Sequence, residues 1–300
     1  MNPEKNEYQP GELQVGWLNN PDDIALAVNF LRQGYPIAGQ VRGVFGIWAN
    51  AQDSSSLEKV TLAKKTPEKK ALSSMMFSQD LFPLVDRNLV HQEFHQLLDN
   101  PRTCQIRFGG ICHLRVPVSK KAASEIPPIL LSEKEGVFYM HNLDPFGHPI
   151  AHLIRAAKKK GLPSLAVTSL NDHSVGENEI SDWERAQEFC QQKIEFLPII
   201  LRDPIPRRDE VRGSFAIVDL AKKSAVRDGH IPISFIERLF QTDLDKGSMQ
   251  PSKYSQIKIE IGSLALSPEA ARVFILWYIR GKGEAEIIEK LKKAKLLMAV

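Results

Sequence analysis

Leu165-Ala166-Val167-Thr168-Ser169-Leu170-Asn171 decides how this chain is read: an apolar run that ends in a hydroxyl, a hydroxyl, a spacer and an amide. A continuous apolar run is what a strand covered on both faces looks like, and open sheets of such strands bind small molecules just beyond strand ends. The passage predicts a buried strand that presents polar groups to a ligand. On the residues alone, Ser169 and Asn171 serve equally to cap a helix or close a turn.

Strand and helix signals alternate outward from this point. Upstream, Pro149 starts a helix with Ile150, Leu153, Ile154 and Ala157 at helical spacing, and Lys158-Lys159-Lys160-Gly161 ends it, where cations favour a helix C-terminus. Strands are expected over 104–118 and 137–142, parted by Pro127-Pro128. A helix is expected over 89–98, with His91 and His95 one turn apart. That pair has no third ligand nearby, so a solvated helix face is preferred to a metal site. Nearer the N-terminus, Ile24, Ala27, Val28 and Leu31 share one face of a helix over 21–33. Extended pieces over 35–49 with a tight passage at Gly43, a helix over 54–65 and a strand over 71–77 follow. Downstream, Ser181-Asp182-Trp183-Glu184 reads as a capping box, and 196–201 and 214–220 read as strands. The interleaving predicts an α/β domain over residues 12–241 whose sheet is partly parallel and partly antiparallel. Residues 242–300 read as a small, mainly helical appendage: polar first, apolar over 257–266, then two helices from Ser267. A docking or dimerising hairpin is the expectation there, ahead of a DNA-binding element.

Composition narrows the class. Three hundred residues with 43% hydrophobic and 25% charged content suffice for a full core and a smaller unit. No apolar run approaches the roughly 18 residues needed to span a bilayer, and Met1 to Pro10 is polar, so a soluble, cytoplasmic protein without membrane contact is expected. Cys104, Cys112 and Cys190 include no Cys-x-x-Cys pair, which argues for free buried thiols and against a zinc site. A net charge of +3 is too small to imply nucleic-acid binding by itself. Lys158-Lys159-Lys160 and Arg207-Arg208 are either part of a basic face or solvated charge.

Further segments carry chemistry in a fixed order: Lys64-Lys65-Thr66-Pro67-Glu68-Lys69-Lys70, His148-Pro149, Ser169-Leu170-Asn171, Ser214-Phe215-Ala216-Ile217-Val218-Asp219 and Arg227-Asp228-Gly229. Taken together over residues 14–236, they resemble the YrdC-like family of threonylcarbamoyl-adenylate synthases. The resemblance implies a twisted mixed sheet with flanking helices, and a reaction joining L-threonine, bicarbonate and ATP into threonylcarbamoyl-adenylate and pyrophosphate, linked to tRNA threonylcarbamoyladenosine modification. It implies ATP as a substrate, with Mg, and no tightly bound cofactor. It assigns Lys64, Lys70, Ser169, Asn171 and Arg227 to the nucleotide, and Val41, Arg42, Thr66, His141 and Ser214 to a substrate pocket. Partners it suggests beyond a nucleotide are RNA or tRNA-modification proteins. Double-stranded RNA would need a continuous basic face, for which Lys64, Lys65, Lys69, Lys70 and Arg227 are candidates.

The chain also departs from the family pattern. Where the family carries a Pro-Thr-Glu-Thr-like stretch, this sequence has Gln40-Val41-Arg42-Gly43; a glutamate has become arginine and a threonine hydroxyl is gone. The arginine of Lys-x-Arg-Pro is Thr66, and the arginine ending the strand before His-Pro is His141. One unit charge at 4 Å is on the order of 4 kcal/mol at an effective dielectric of about 20, so such exchanges are not silent. Two readings follow: a site retuned toward another acyl substrate, or a catalytically inactive nucleotide- or RNA-binding module with the same fold. His173, just after Asn171, is either a phosphate contact or a solvent-exposed loop residue.

Overall fold

The structure, a computed structural model, describes residues 11–65, 71–172, 179–205, 213–251, 267–280 and 282–294. Strand β1 (Gln14–Trp17) leads to α1 (Pro21–Arg32), where Asn20 accepts from the Asp22 N–H at 3.0 Å and Asp22 and Asp23 sit in the positively polarised first turn. The hairpin β2 (Ile37–Val41) and β3 (Val44–Asn50) turns at Arg42-Gly43. Helix α2 (Ser54–Lys64) is capped by Asp53 and closed by Lys65 in the left-handed conformation, at φ 48°. Then come β4 (Ser73–Met75), α3 (Ser78–Leu81), α4 (His95–Asp99), α5 (Pro101–Phe108), β5 (Cys112–Val118), α6 (Lys120–Glu125), β6 (Leu131–Lys134) and β7 (Val137–Leu143). The remaining elements are α7 (Ile150–Lys159), β8 (Leu165–Ser169), α8 (Trp183–Gln192), β9 (Ile199–Arg202), β10 (Ala216–Asp219), β11 (Ser224–Arg227), α9 (Ile233–Phe240), α10 (Pro268–Ile279) and α11 (Glu284–Lys293).

The strands form one mixed sheet in the order β1-β9-β2-β3-β8-β4-β7-β5-β10-β11, with β6 paired to β7. The sheet combines parallel pairs (β1 with β9, β2 with β9, β4 with β7, β5 with β10) with antiparallel ones, as the interleaved sequence predicts. Strands twist, and over this many of them the sheet coils on itself. The tip of the β2–β3 hairpin reaches the segments entering β5 and β10 across the intervening β8, β4 and β7. Gly213 N–H donates to Gly43 O at 3.1 Å and Arg42 donates to Gly110 O.

Helices α1 and α7 cover one face, packing Ala27, Val28, Leu31, Leu153 and Ala157 on Trp48, Leu165 and Val167. On the other face α2 and α8 place Val60, Ala63, Ala186 and Phe189 against Phe45, Ile47 and Ile200. A third core joins α5, α9, α10 and α11 to β5 and β10 through Phe108, Leu114, Val218, Leu239, Phe274 and Leu291. The C-terminal helices thus pack in the same core as the sheet. Residues 245 and 250 also bridge the sheet edge beside β11, at Ser224 and Arg227. No helix among the described residues is long and apolar enough to cross a membrane.

Several expectations are corrected. Residues 104–108 are helical: Pro101 opens α5, Asn100 accepts from the Thr103 N–H at 3.0 Å, and the strand begins only at Cys112. The helix expected over 89–98 is broken into 3-10 turns before α4. His91 accepts from the Glu93 N–H, His95 bonds Val90 O at 3.0 Å, and the described residues contain no metal-binding cluster. The strand expected over 71–77 shortens to β4, and the cap of α8 is Asp182, accepting from Arg185 N–H at 3.0 Å, instead of Ser181. Strand β6 had no sequence expectation. The apolar stretch 257–266, Arg207-Arg208 and His173 lie outside the described residues.

Candidate functional site

Helix α2 delivers Lys64 to the end of β8. The left-handed Lys65 stops the helix there, and the Lys64 ammonium, 2% exposed, turns inward. It donates to Thr168 Oγ1 at 3.1 Å, to Asn171 Oδ1 at 2.7 Å and to the Ser169 carbonyl. Ser169 Oγ also donates to Asn171 Oδ1, at 3.0 Å. An ammonium has three N–H donors, and a buried one is tolerated only when they are met. Lys65 stays half exposed and pairs with Asp172 at 3.3 Å. Two segments about a hundred residues apart in sequence thus close into one polar nest at a strand end.

A second cluster forms where the chain enters β10. Ser214 Oγ donates to Glu179 Oε1 at 2.8 Å, and Arg227 donates through Nε and Nη2 to Phe215 O at 3.2 and 2.8 Å. Burial lowers the Arg227 pKa, while Glu179 opposes the shift. The turn after β11 lies flush on β10 because Gly229 has no side chain: a Cβ there would stand 2.1 Å from Ala216 N. Register aligns His113, Ile217 and Arg227 as cross-strand neighbours on one face. His113 is held well below the ordinary histidine range, by burial first and then by the charges of Arg227 and His141. Residues 179–180 connect the clusters: Ile180 bonds Leu170 and Phe45 through its backbone at 2.9 and 2.8 Å, beside Glu179 on Ser214.

No protein-family model matches the chain, and no curated protein matches it in sequence. Solved structures do match. Sua5 of P. abyssi complexed with L-threonine aligns with a TM-score of 0.58 at 19% identity, over 82% of this chain and 68% of that one. E. coli YciO aligns with a TM-score of 0.53 at 18% identity, over 72% of this chain and 93% of its own. The fold is YrdC-like. A hypothetical protein from Streptococcus mutans UA159 gives a TM-score of 0.59 at 13% identity, over 81% of this chain and all of its own. A second P. abyssi Sua5 structure, at a TM-score of 0.59 and 17% identity, is spanned over 65% of its length.

Within this YrdC-like frame the sequence-derived residues fall into groups. Lys64, Ser169 and Asn171 are in contact, and Ser214 and Arg227 adjoin them through Glu179 and Ile180. His141 is on β7, paired with Arg115, and its carbonyl accepts from Ser74 Oγ at 3.2 Å. Val41 is buried in the core with α1. Arg42, at φ 51°, leaves the β8 nest altogether: its guanidinium lies against the Gly109-Gly110 loop, 5% exposed. Thr66 and Lys70 lie outside the described residues. His148 caps α7 instead of facing the nest. Its Nδ1 accepts from the Ile150 N–H at 3.1 Å and its Nε2 meets Asp203 at 2.8 Å, the pattern of a neutral ring whose proton is on Nε2. Burial lowers the His148 pKa, which agrees with that form.

Sequence reading passed over Glu179, which sits in a run with no motif, and His113, which sits in a stretch read only as strand. It also missed an open cavity of about 600 Å³ near the C-terminus of α7, lined by Arg102, Arg155, Lys158 and Lys159 with Phe77 and Phe146. Arg155 stacks 5.0 Å from the Phe77 ring and Arg102 4.7 Å from the Phe146 ring. The Lys158-Lys159 run is the only part of that lining that sequence had signalled as basic.

Proposed function

We propose that this protein is a divergent threonylcarbamoyl-adenylate synthase-like protein that binds ATP, with Mg2+, between the end of β8 and the entry to β10, in connection with tRNA threonylcarbamoyladenosine modification. The observation that carries the reading is the convergence of Lys64 on Ser169 and Asn171, with Ser214 and Arg227 alongside. Lys64 and Arg227 supply charge for a polyphosphate, and the hydroxyls and amide supply directed contacts. In the reaction, a carbamate formed from bicarbonate and the amine of an amino acid, with loss of water, attacks the α-phosphorus through oxygen. The bond to the β-phosphate breaks and pyrophosphate leaves. Anionic phosphate oxygens are stronger acceptors than the amide, hydroxyl and carbonyl that Lys64 now contacts, so nucleotide entry would exchange those partners.

The second reading is a nucleotide- or RNA-binding module without turnover. Two observations favour it: Lys64 is engaged by protein acceptors, and the cavity beside α7 combines two aromatic rings with four cations, one of which, Lys158, is paired with Asp80 at 2.7 Å, a setting suited to a backbone and its bases. The deciding experiment measures pyrophosphate release from ATP with bicarbonate and a panel of amino acids, L-threonine included because P. abyssi Sua5 binds it. The synthase reading expects release that needs bicarbonate and one amino acid and falls to background in a Lys64→Ala, Ser169→Ala double variant. ATP binding without turnover for any amino acid transfers the assignment to the binding module. Steep salt dependence of RNA binding then separates an RNA ligand from a nucleotide.

A further inference from the structure

Three arginines converge away from the Lys64 nest, where the tip of the β2–β3 hairpin, the loop entering β5 and the C-terminal helix α10 meet. Arg42 and Arg272 are each 5% exposed. Arg42 donates through Nε to Gly110 O, and Arg272 donates through Nη1 to the neighbouring Gly109 O at 3.0 Å and through Nη2 to Phe146 O at 3.4 Å. The two guanidiniums therefore sit side by side on consecutive carbonyls. Arg280, just past α10, joins them closely enough for its charge to act on Arg42. Glycines make the room: a Cβ at 110 would lie 2.9 Å from Arg42 Nη2, and one at 147 would lie 2.6 Å from Arg272 Nη2.

The carbonyls do not meet every donor of this cluster. Arg42 Nη2 and Arg280 Nε are buried with no hydrogen-bond partner among the described residues. Asp203 faces the group, and each of its oxygens already accepts once, from His148 Nε2 at 2.8 Å and from the Ile205 N–H at 2.9 Å. Asp144, facing Arg272, is occupied by Ser78 and by the Phe146 N–H at 2.8 Å. Among the described residues, three guanidiniums thus oppose two engaged carboxylates beside a neutral histidine, which leaves net positive charge and unmet donors in a buried place. Burial and the like charges of Arg272 and Arg280 bring the Arg42 pKa down to about 9, and burial brings Arg272 to about 10. Leaving such donors unmet costs far more than meeting them.

We propose that Arg42, Arg272 and Arg280 form a binding site for a phosphate group, which ties the C-terminal helices to the hairpin tip of the sheet. A carboxylate presents two oxygens in one plane. A phosphate presents three or four in a tetrahedron with a charge of about −1.5 to −2, matching three guanidiniums that arrive from two chain segments. The site shares no residue with the nucleotide cleft proposed above and stands or falls apart from it. Phosphate supplied free and phosphate carried on a metabolite have the same recognition chemistry, so both belong in the test.

The test uses the full chain at fixed ionic strength, titrated with inorganic phosphate, with glycerol phosphate and with sodium chloride. Thermal unfolding and titration calorimetry follow binding, and hydrogen exchange is read over 268–279. Phosphate is expected to raise the melting temperature saturably and slow exchange in α10, while chloride does neither. Arg280→Met should weaken phosphate binding roughly tenfold or more, the loss expected for a charged hydrogen bond. Arg42→Met should do the same, with Arg42→Lys replacing it if the methionine variant fails to fold by circular dichroism. Tighter binding of glycerol phosphate would point to a phosphorylated metabolite, and binding of inorganic phosphate alone to the free ion; either supports the site. Equal effects of chloride, no response to either phosphate, or an unchanged response in Arg280→Met overturn it. A response lost in Lys64→Ala but kept in Arg42→Met also overturns it, by placing the anion in the nucleotide cleft.

Discussion

Gly229 shows how one missing side chain sets the local architecture. Its backbone lies so close to β10 that a Cβ would meet Ala216 N at 2.1 Å, Phe215 C at 2.6 Å and Ala216 Cα at 2.9 Å. Those neighbours are main chain and cannot rotate away. Gly229→Ala is therefore expected to destabilise the protein by at least the roughly 1–3 kcal/mol usual for overpacking, measured by urea unfolding. It should also loosen Arg227, whose guanidinium is fixed on the Phe215 carbonyl that the new methyl would push. At this scale the sequence was informative where residue types were distinctive. Of the five residues the resemblance assigns to a nucleotide, Lys64, Ser169 and Asn171 touch one another. Arg42 was singled out as a departure, yet its destination was not readable, because its neighbours Arg272 and Arg280 stand more than two hundred residues away in the chain. Nothing local in a sequence encodes such a meeting.

Helix α7 and helix α5 mark what periodicity can and cannot tell at the scale of elements. In α7, Ile150, Leu153, Ile154 and Ala157 repeat on one face and all are buried against α1 and the sheet. Leu153 is fully buried, so Leu153→Ala is expected to cost about 2–5 kcal/mol, read as a lower urea midpoint with an unchanged slope. Helix α5 is short, and Cys104 to Phe108 alternates apolar and polar residues as a strand would. Its start signals, Asn100 and Pro101, were the better guide, and tertiary packing of Cys104 and Phe108 beneath α10 completes the helix. The regular strands around β8 were legible because burial on both faces leaves a long apolar run. β4 is shorter than the expected 71–77 because only Ser73–Met75 pair with β8, and Ser74 with β7.

The whole molecule has an acid sensitivity that no single element reveals. Burial holds His113 well below, and His148 below, their ordinary value of 6.5. In the unfolded chain both take up protons near pH 6.5, so at lower pH the unfolded state binds more protons than the folded one. Their contribution to stability is complete above about pH 6.5 and declines as the pH falls toward their folded values. Asp203, held below 3.8 mainly by its bond to His148 against the opposing effect of burial, adds stability that is lost only in stronger acid. Urea midpoints are expected to stay level from pH 8 to about pH 6.5 and to fall from there to pH 5, and His113→Phe should flatten that fall. A constant midpoint over the range would refute the account. The order of strands has a consequence for synthesis as well. Strand β1 pairs with β9 alone, Gln14 opposite Ile199 and Trp17 opposite Arg202, and Val15 and Trp17 remain substantially exposed even then. A ribosome adding about 5–20 residues per second takes roughly 10–40 s to make that partner. For that interval Val15 and Trp17 lie on a strand whose backbone has no partner, and a chaperone that captures unpaired strands has a target there.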